Sequence, residues 1–161
     1  MRKLVQVAIV ALMLAPSVGQ SQDFDIGLLA AQSGDFATAL REWTPLAEGG
    51  NARAQTNLGF MYEYGRGVPQ DDAEAVKWYR LAAEQGDAHA QANLGIMYEY
   101  GRGVPQDFVA AHMWYDLAAS TGLEKSASYR DDVAAKMLSA DISEAQRRAG
   151  SCLESNYSNC D

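Results

Sequence analysis

The chain has 161 residues, 48% of them hydrophobic, and a formal charge of −8. That length suits one domain with a sizeable core, and the acidity argues against phosphate backbones and anionic membrane surfaces as partners. Two histidines and two cysteines leave little material for a metal centre or a disulfide framework.

The chain opens Met1-Arg2-Lys3 and then runs apolar from Leu4 to Ala15. A basic start before a short apolar stretch reads as a secretory signal, here residues 1–21. The stretch is shorter than the ~20 apolar residues of a membrane-spanning helix. Small residues permit cleavage after Gly19 or after Ser21; retention as a membrane anchor is the alternative. Loss of Arg2 and Lys3 takes the formal charge from −8 to −10. No second apolar segment follows, so no membrane span is expected after signal removal.

Residues 22–50 read as a short helical hairpin. Asp35 is placed to cap its second helix, which carries Ala39, Trp43 and Ala47 at inward spacing. Ser33-Gly34 forms the tight turn before it.

Two copies of a longer unit follow, residues 51–86 and 87–122. They align without a gap and are identical at 24 of 36 positions. Met61–Asp71 (MYEYGRGVPQD) recurs unchanged as Met97–Asp107. A period of this size marks a solenoid of stacked hairpins. Helix A of the first copy is expected over Ala52–Tyr64, capped by Asn51, with Asp87 in the same role in the second copy. Gly50 and Gly86 suit the left-handed turn that closes the preceding helix. Leu58, Met61 and Tyr62 share an apolar face, and Gly59 beside them allows close helix approach. Gly65-Arg66-Gly67-Val68-Pro69-Gln70 breaks the helix. Asp71 then caps helix B, with Glu74 as a capping-box partner; Asp107 caps the second copy without that acid. Ala75, Trp78, Tyr79 and Ala82 are expected inward, matched by Ala111, Trp114, Tyr115 and Ala118.

Beyond Gly122 the pattern fades. Ser126–Ser139 and Ile142–Leu153 read as a terminal hairpin within a capping segment, 123–161. Val133 and Met137 should pack inward, with Arg147 and Arg148 outward. Cys152 and Cys160 are close enough to form a local disulfide in an oxidising compartment, tying the tail to the last helix. Free thiols or an intermolecular bridge are the alternatives.

The string Ala54-Gln55-x-x-Leu58-Gly59-x-x-Tyr62, then Gly65-x-Gly67-Val68-Pro69-x-Asp71, then Ala75-x-x-Trp78-x-x-x-Ala82-Ala83-x-x-Gly86, resembles the Sel-one-like repeat (SLR). This is a tetratricopeptide-like family with a longer inter-helix loop. The resemblance covers 51–122 well and 24–50 loosely. It implies an all-α fold, a right-handed α-solenoid of stacked antiparallel helix hairpins, of a type often exported by bacteria. It also implies an adaptor or scaffold for other proteins. Some cysteine-rich relatives have been linked to β-lactam binding; this chain lacks their cysteine pair in each repeat.

No motif for catalysis, cofactor or metal emerges. Gly65-Arg66-Gly67 has neither the following Gly-Lys-Ser/Thr nor the preceding strand of a phosphate loop. His89 and His112 lack metal-ligand spacing, and the serines lack a Gly-x-Ser-x-Gly elbow. A cell-wall or β-lactam-related hydrolase and a purely structural spacer remain as alternatives to a scaffold. In a tetratricopeptide-like stack, helices A line the concave surface. That places Arg53, Asn57, Phe60, Glu63 and Tyr64 of the first copy on it, together with Thr56. The second copy contributes His89, Asn93, Ile96, Glu99 and Tyr100, together with Ala92. Asn57 and Asn93 offer donor and acceptor to a peptide backbone, and the two tyrosines offer amphipathic area. The expected partner is a protein or peptide. Its identity and the oligomeric state are not legible in the residues.

Overall fold

A computed structural model describes residues 18–160. The apolar leader lies outside the described residues; Gly19 and Ser21 fall in the first turn of the first helix. Among the described residues there are eight α-helices and no strand. These are α1 Val18–Gln32, α2 Phe36–Glu48, α3 Ala52–Tyr64, α4 Asp72–Ala83, α5 Ala88–Tyr100, α6 Phe108–Ser120, α7 Glu124–Ala134 and α8 Ser139–Glu154. The hairpins α1–α2, α3–α4 and α5–α6 stack in chain order, so α2 packs on α3 and α4 on α5. No helix among the described residues is long and apolar enough to cross a membrane.

Helix starts follow from local chemistry. The side chains of Asp35, Asn51, Asp71, Asp87 and Asp107 each accept a hydrogen bond from the amide three residues on, satisfying a donor that the first turn leaves free. The expected reciprocal bond from Glu74 is absent. The Asp71 amide instead donates to the Tyr62 carbonyl at 2.9 Å, and Glu74 pairs with Lys77. The Asp107 amide finds Tyr98 in the same way. The loop, folded back on helix A, takes the donor that a capping box would have used.

Gly65 and Gly101 end α3 and α5 in the left-handed region, at φ 62° and 64°, where a side chain is strained. Inside the hairpins, the absence of a side chain sets the helix spacing. A Cβ on Gly59 would lie 2.6 Å from the Tyr79 ring, and one on Gly95 2.7 Å from Tyr115. Gly27 is likewise roofed by Trp43.

Among the described residues, three apolar clusters form the core. Phe24, Trp43, Leu46, Leu58 and Met61 join α1, α2 and α3. Tyr79, Leu94, Met97, Met113, Trp114 and Leu117 join α4, α5 and α6. Tyr115 and Val133 join α6 to α7, with Met137 packed against them. The two repeat tryptophans, both expected inward, differ: Trp114 is buried, whereas Trp78 is half-buried against the first cluster.

The C-terminal segment departs from the simple hairpin expected. Both α7 and α8 pack on α6. Their N-caps, Leu123 and Leu138, provide no side-chain hydrogen bond, which is why the residue pattern placed their limits a few positions away. Ala149 and Cys152 of α8 enter the central cluster, and a Cys152–Cys160 disulfide brings the tail there too. Tyr157 of that tail packs against Gly86, at the turn between α4 and α5. Arg147 stays exposed and Arg148 half-buried, both paired with Glu144.

His112, buried in α6, has no hydrogen-bond partner for Nδ1 among the described residues. Burial pushes its pKa below the usual 6.5; Arg130 acts in the same direction, while Asp116 and Asp131 oppose it. The unfolded chain therefore takes up a proton that the folded chain resists. Its contribution is present above about pH 6.5 and is lost as pH falls. Val76 stands at the equivalent place in the first repeat. Between about pH 7.5 and pH 5.5, denaturant melts should show His112→Val losing less stability than the parent. Parallel pH profiles would contradict this account of the site.

Candidate functional site: the face of α1, α3 and α5

Helices α1, α3 and α5 present one side of the stack, and a groove of about 320 Å³ runs across it. Phe24 and Leu28 come from α1, Arg53, Thr56, Asn57 and Phe60 from α3, and His89 and Asn93 from α5, with Asp87 at its cap. Helical periodicity explains the set, because residues three, four and seven apart share one face.

Of the expected residues, Arg53, Asn57, Phe60, His89 and Asn93 meet in this groove. Phe60 is 48% exposed and stacks at 4.5 Å on the exposed ring of Tyr64. Tyr100 is also exposed but does not line the groove. Ile96 is half-buried against the third cluster. The Arg53 guanidinium sits 4.2 Å over the Phe24 ring, a cation–π arrangement that holds the cation in place while leaving its donors open. The Thr56 hydroxyl bonds Asp87 at 3.1 Å, linking α3 to the cap of α5.

Glu63 and Glu99 are corrections. Both were expected on this face, and both are buried, at 4% and 7% exposure. Glu63 accepts a hydrogen bond from the Tyr79 hydroxyl at 2.6 Å and pairs with Arg102 at 2.8 Å. Glu99 accepts from Tyr115 at 2.9 Å and pairs with Lys136 at 2.8 Å. Burial, reinforced by the adjacent carboxylate, holds both phenols well above their usual range, so they stay neutral donors. A carboxylate so satisfied braces the stack and is not available to a ligand.

Three features escaped the sequence reading. Phe24 and Leu28 are the register equivalents of Thr56 and Phe60, and carrying the repeat register one hairpin upstream names them. Arg102 braces successive hairpins, bonding both Glu63 and Asp72. Gln55 and Gln91 donate to the carbonyls of Ala47 and Ala83, closing the end of each preceding helix B. Among the described residues, no group of three or more His, Cys, Asp or Glu is placed to hold a metal ion.

A family model described as the Sel1 repeat matches residues 52–87 and 88–123. Among solved structures, a Sel1 repeat protein from Oxalobacter formigenes is 38% identical, with a TM-score of 0.64, covering 70% of this chain and 88% of that one. The chain belongs to the Sel1 repeat family. A protective antigen of uropathogenic Escherichia coli strains, which displays an SLR fold, is similar with a TM-score of 0.80 and 29% identity. That match covers 84% of this chain, which spans 30% of the antigen's length. No curated protein matches the chain significantly. The Sel1 frame begins one residue after the period read from the residues, which reflects where a repeat is said to start. The all-helical solenoid of these relatives is the architecture found here.

Proposed function

We propose that this chain is a non-enzymatic scaffold that captures protein or peptide segments on the face of α1, α3 and α5, in the periplasm or outside the cell. The observation that carries the reading is the groove itself. It gathers an exposed aromatic, an aromatic-supported guanidinium and two half-buried asparagines from successive helices. Asn57 and Asn93 stand at the same register in adjacent repeats, the spacing at which a backbone laid across the helices meets amide donors and acceptors in turn. Phe60 and Tyr64 supply apolar contact at low entropic cost. The Cys152–Cys160 disulfide supports an oxidising compartment, since such bonds persist outside the reducing cytosol.

Replacing Asn57, Tyr64, Asn93 and Tyr100 together by alanine should weaken partner recovery in pull-downs about tenfold or more. None of the four belongs to the buried core, so melting should change little. Undiminished recovery by a folded variant would remove this face from the function.

A further inference from the structure

Among the described residues, three junctions have a loop cation that reaches back onto the preceding hairpin, and they are not filled alike. At the middle one, Arg102 lies between Glu63 at 2.8 Å and Asp72 at 2.9 Å, and Gly103 presses on the backbone of Asp72. At the last, Lys136 pairs with Glu99 at 2.8 Å and lies 6.0 Å over the Phe108 ring. At the first, Gly67 presses on Phe36 in the same manner, so Arg66 occupies the place of Arg102. Its acids are missing. Ala31 stands at the register of Glu63 and Glu99, Phe36 at that of Asp72, and Trp43 at that of Tyr79.

The consequences are visible. Arg66 is exposed, forms no ion pair among the described residues, and rests 5.4 Å over the Phe36 ring. The Trp43 indole, lacking a carboxylate, donates to the Phe24 carbonyl. Because α1 and α2 are joined by a tight turn and not by a long loop, a cavity of about 490 Å³ opens there, lined by Ala31, Phe36, Phe60 and Arg66 among others. It shares Asn57 and Phe60 with the groove already described.

We infer that this first junction receives a carboxylate side chain of a partner protein in the position that Glu63 and Glu99 fill at the other two. The inference rests on the proposed capture of protein segments by this face. It adds the chemistry of the segment: a glutamate flanked by an aromatic or thioether side chain. The guanidinium supplies the charge-assisted hydrogen bonds, and Phe36 and Phe60 cover the neighbours. The chain's own filler at the middle junction is the Glu63 side chain, carried in the sequence Met61-Tyr62-Glu63-Tyr64-Gly65.

The test uses the full folded chain and a capped Met-Tyr-Glu-Tyr-Gly peptide, with its glutamine counterpart as control, followed by NMR of the arginine Nε–H signals. The Arg66 signal should shift saturably with the glutamate peptide and respond about tenfold more weakly to the glutamine peptide. Arg66→Gln should make the two peptides equivalent, read from the Asn57 and Phe60 signals. Ala31→Glu, which supplies the acid from within, should block the glutamate peptide and raise the melting temperature. Equal response of Arg66 to both peptides, or unimpaired binding by a folded Ala31→Glu variant, overturns the carboxylate assignment. If Asn57 and Phe60 still shift in that case, capture on the face stands without it; if they do not shift and the fourfold groove variant retains its partner, the broader reading falls as well.

Discussion

Glu63→Ala is expected to destabilise the protein by about 3 kcal/mol, lowering the melting temperature by roughly 10 °C. Glu63 is buried between the Tyr79 hydroxyl and the Arg102 guanidinium. Its removal leaves a fully buried phenol without an acceptor, at a cost of about 1–3 kcal/mol. It also removes one of the two acids that hold Arg102. Arg102 keeps Asp72 at 2.9 Å and is 31% exposed, so its share is partly screened and smaller. Glu99→Ala should cost less, because the Lys136 side chain it pairs with is 51% exposed. Arg102→Ala should cost about 1 kcal/mol, and the double variant should show clear non-additivity with Glu63→Ala. Denaturant unfolding of the four variants measures this. A loss under 1 kcal/mol for Glu63→Ala, or the reverse order for the two glutamates, would contradict the bracing role.

Cys160→Ser, or reduction of the intact protein, is expected to cost about 2–3 kcal/mol. The bond closes a short loop, eight residues apart in sequence, and the chain-entropy estimate for so short a loop is about 2.5 kcal/mol. Cys152 and Cys160 are both buried in the central cluster, and Tyr157 between them covers Gly86. Release of the tail therefore uncovers the junction of the two repeats as well as relaxing the unfolded chain. Hydrogen exchange should show the α4–α5 turn opening together with the tail, while α1 and α2, whose cluster the tail does not touch, keep their protection. An unchanged midpoint after verified reduction would show the tail to be ornamental to stability.

What the residues disclosed, and what they hid, follows from the range of the interactions. The five side-chain caps and the limits of α3 were legible because an N-cap is decided within four residues. The glycine contacts with Tyr79 and Tyr115 were legible as close approach, since the repeat shows both partners at fixed spacing. The inward turn of Glu63 was not. Its arc on the helix adjoins Tyr64, and only a cation 39 residues later, in the loop of the next hairpin, draws it in. The absent capping box at Asp71 fails for the same reason, since the Tyr62 carbonyl lies on another helix. The limits of α7 and α8 were blurred because neither has a polar cap to announce it. Of the expected site, Arg53, Thr56, Asn57, Phe60, His89 and Asn93 followed from the tetratricopeptide-like resemblance joined to helical periodicity, and they meet in the groove. The contribution of α1 was hidden by its weaker match to the repeat.

The shared loop glycines and the equivalent caps of the two repeats thus account for the fold, while the exposed groups of α1, α3 and α5 account for the proposed function. The most direct test is site-specific photo-crosslinking in the producing cell, with a photoreactive residue at Phe60 in the groove and, separately, at the exposed Leu153 of α8. The account predicts one or more discrete protein adducts from position 60, competed away by the unlabelled parent and absent from position 153. Adducts from position 153 with none from position 60 would contradict it.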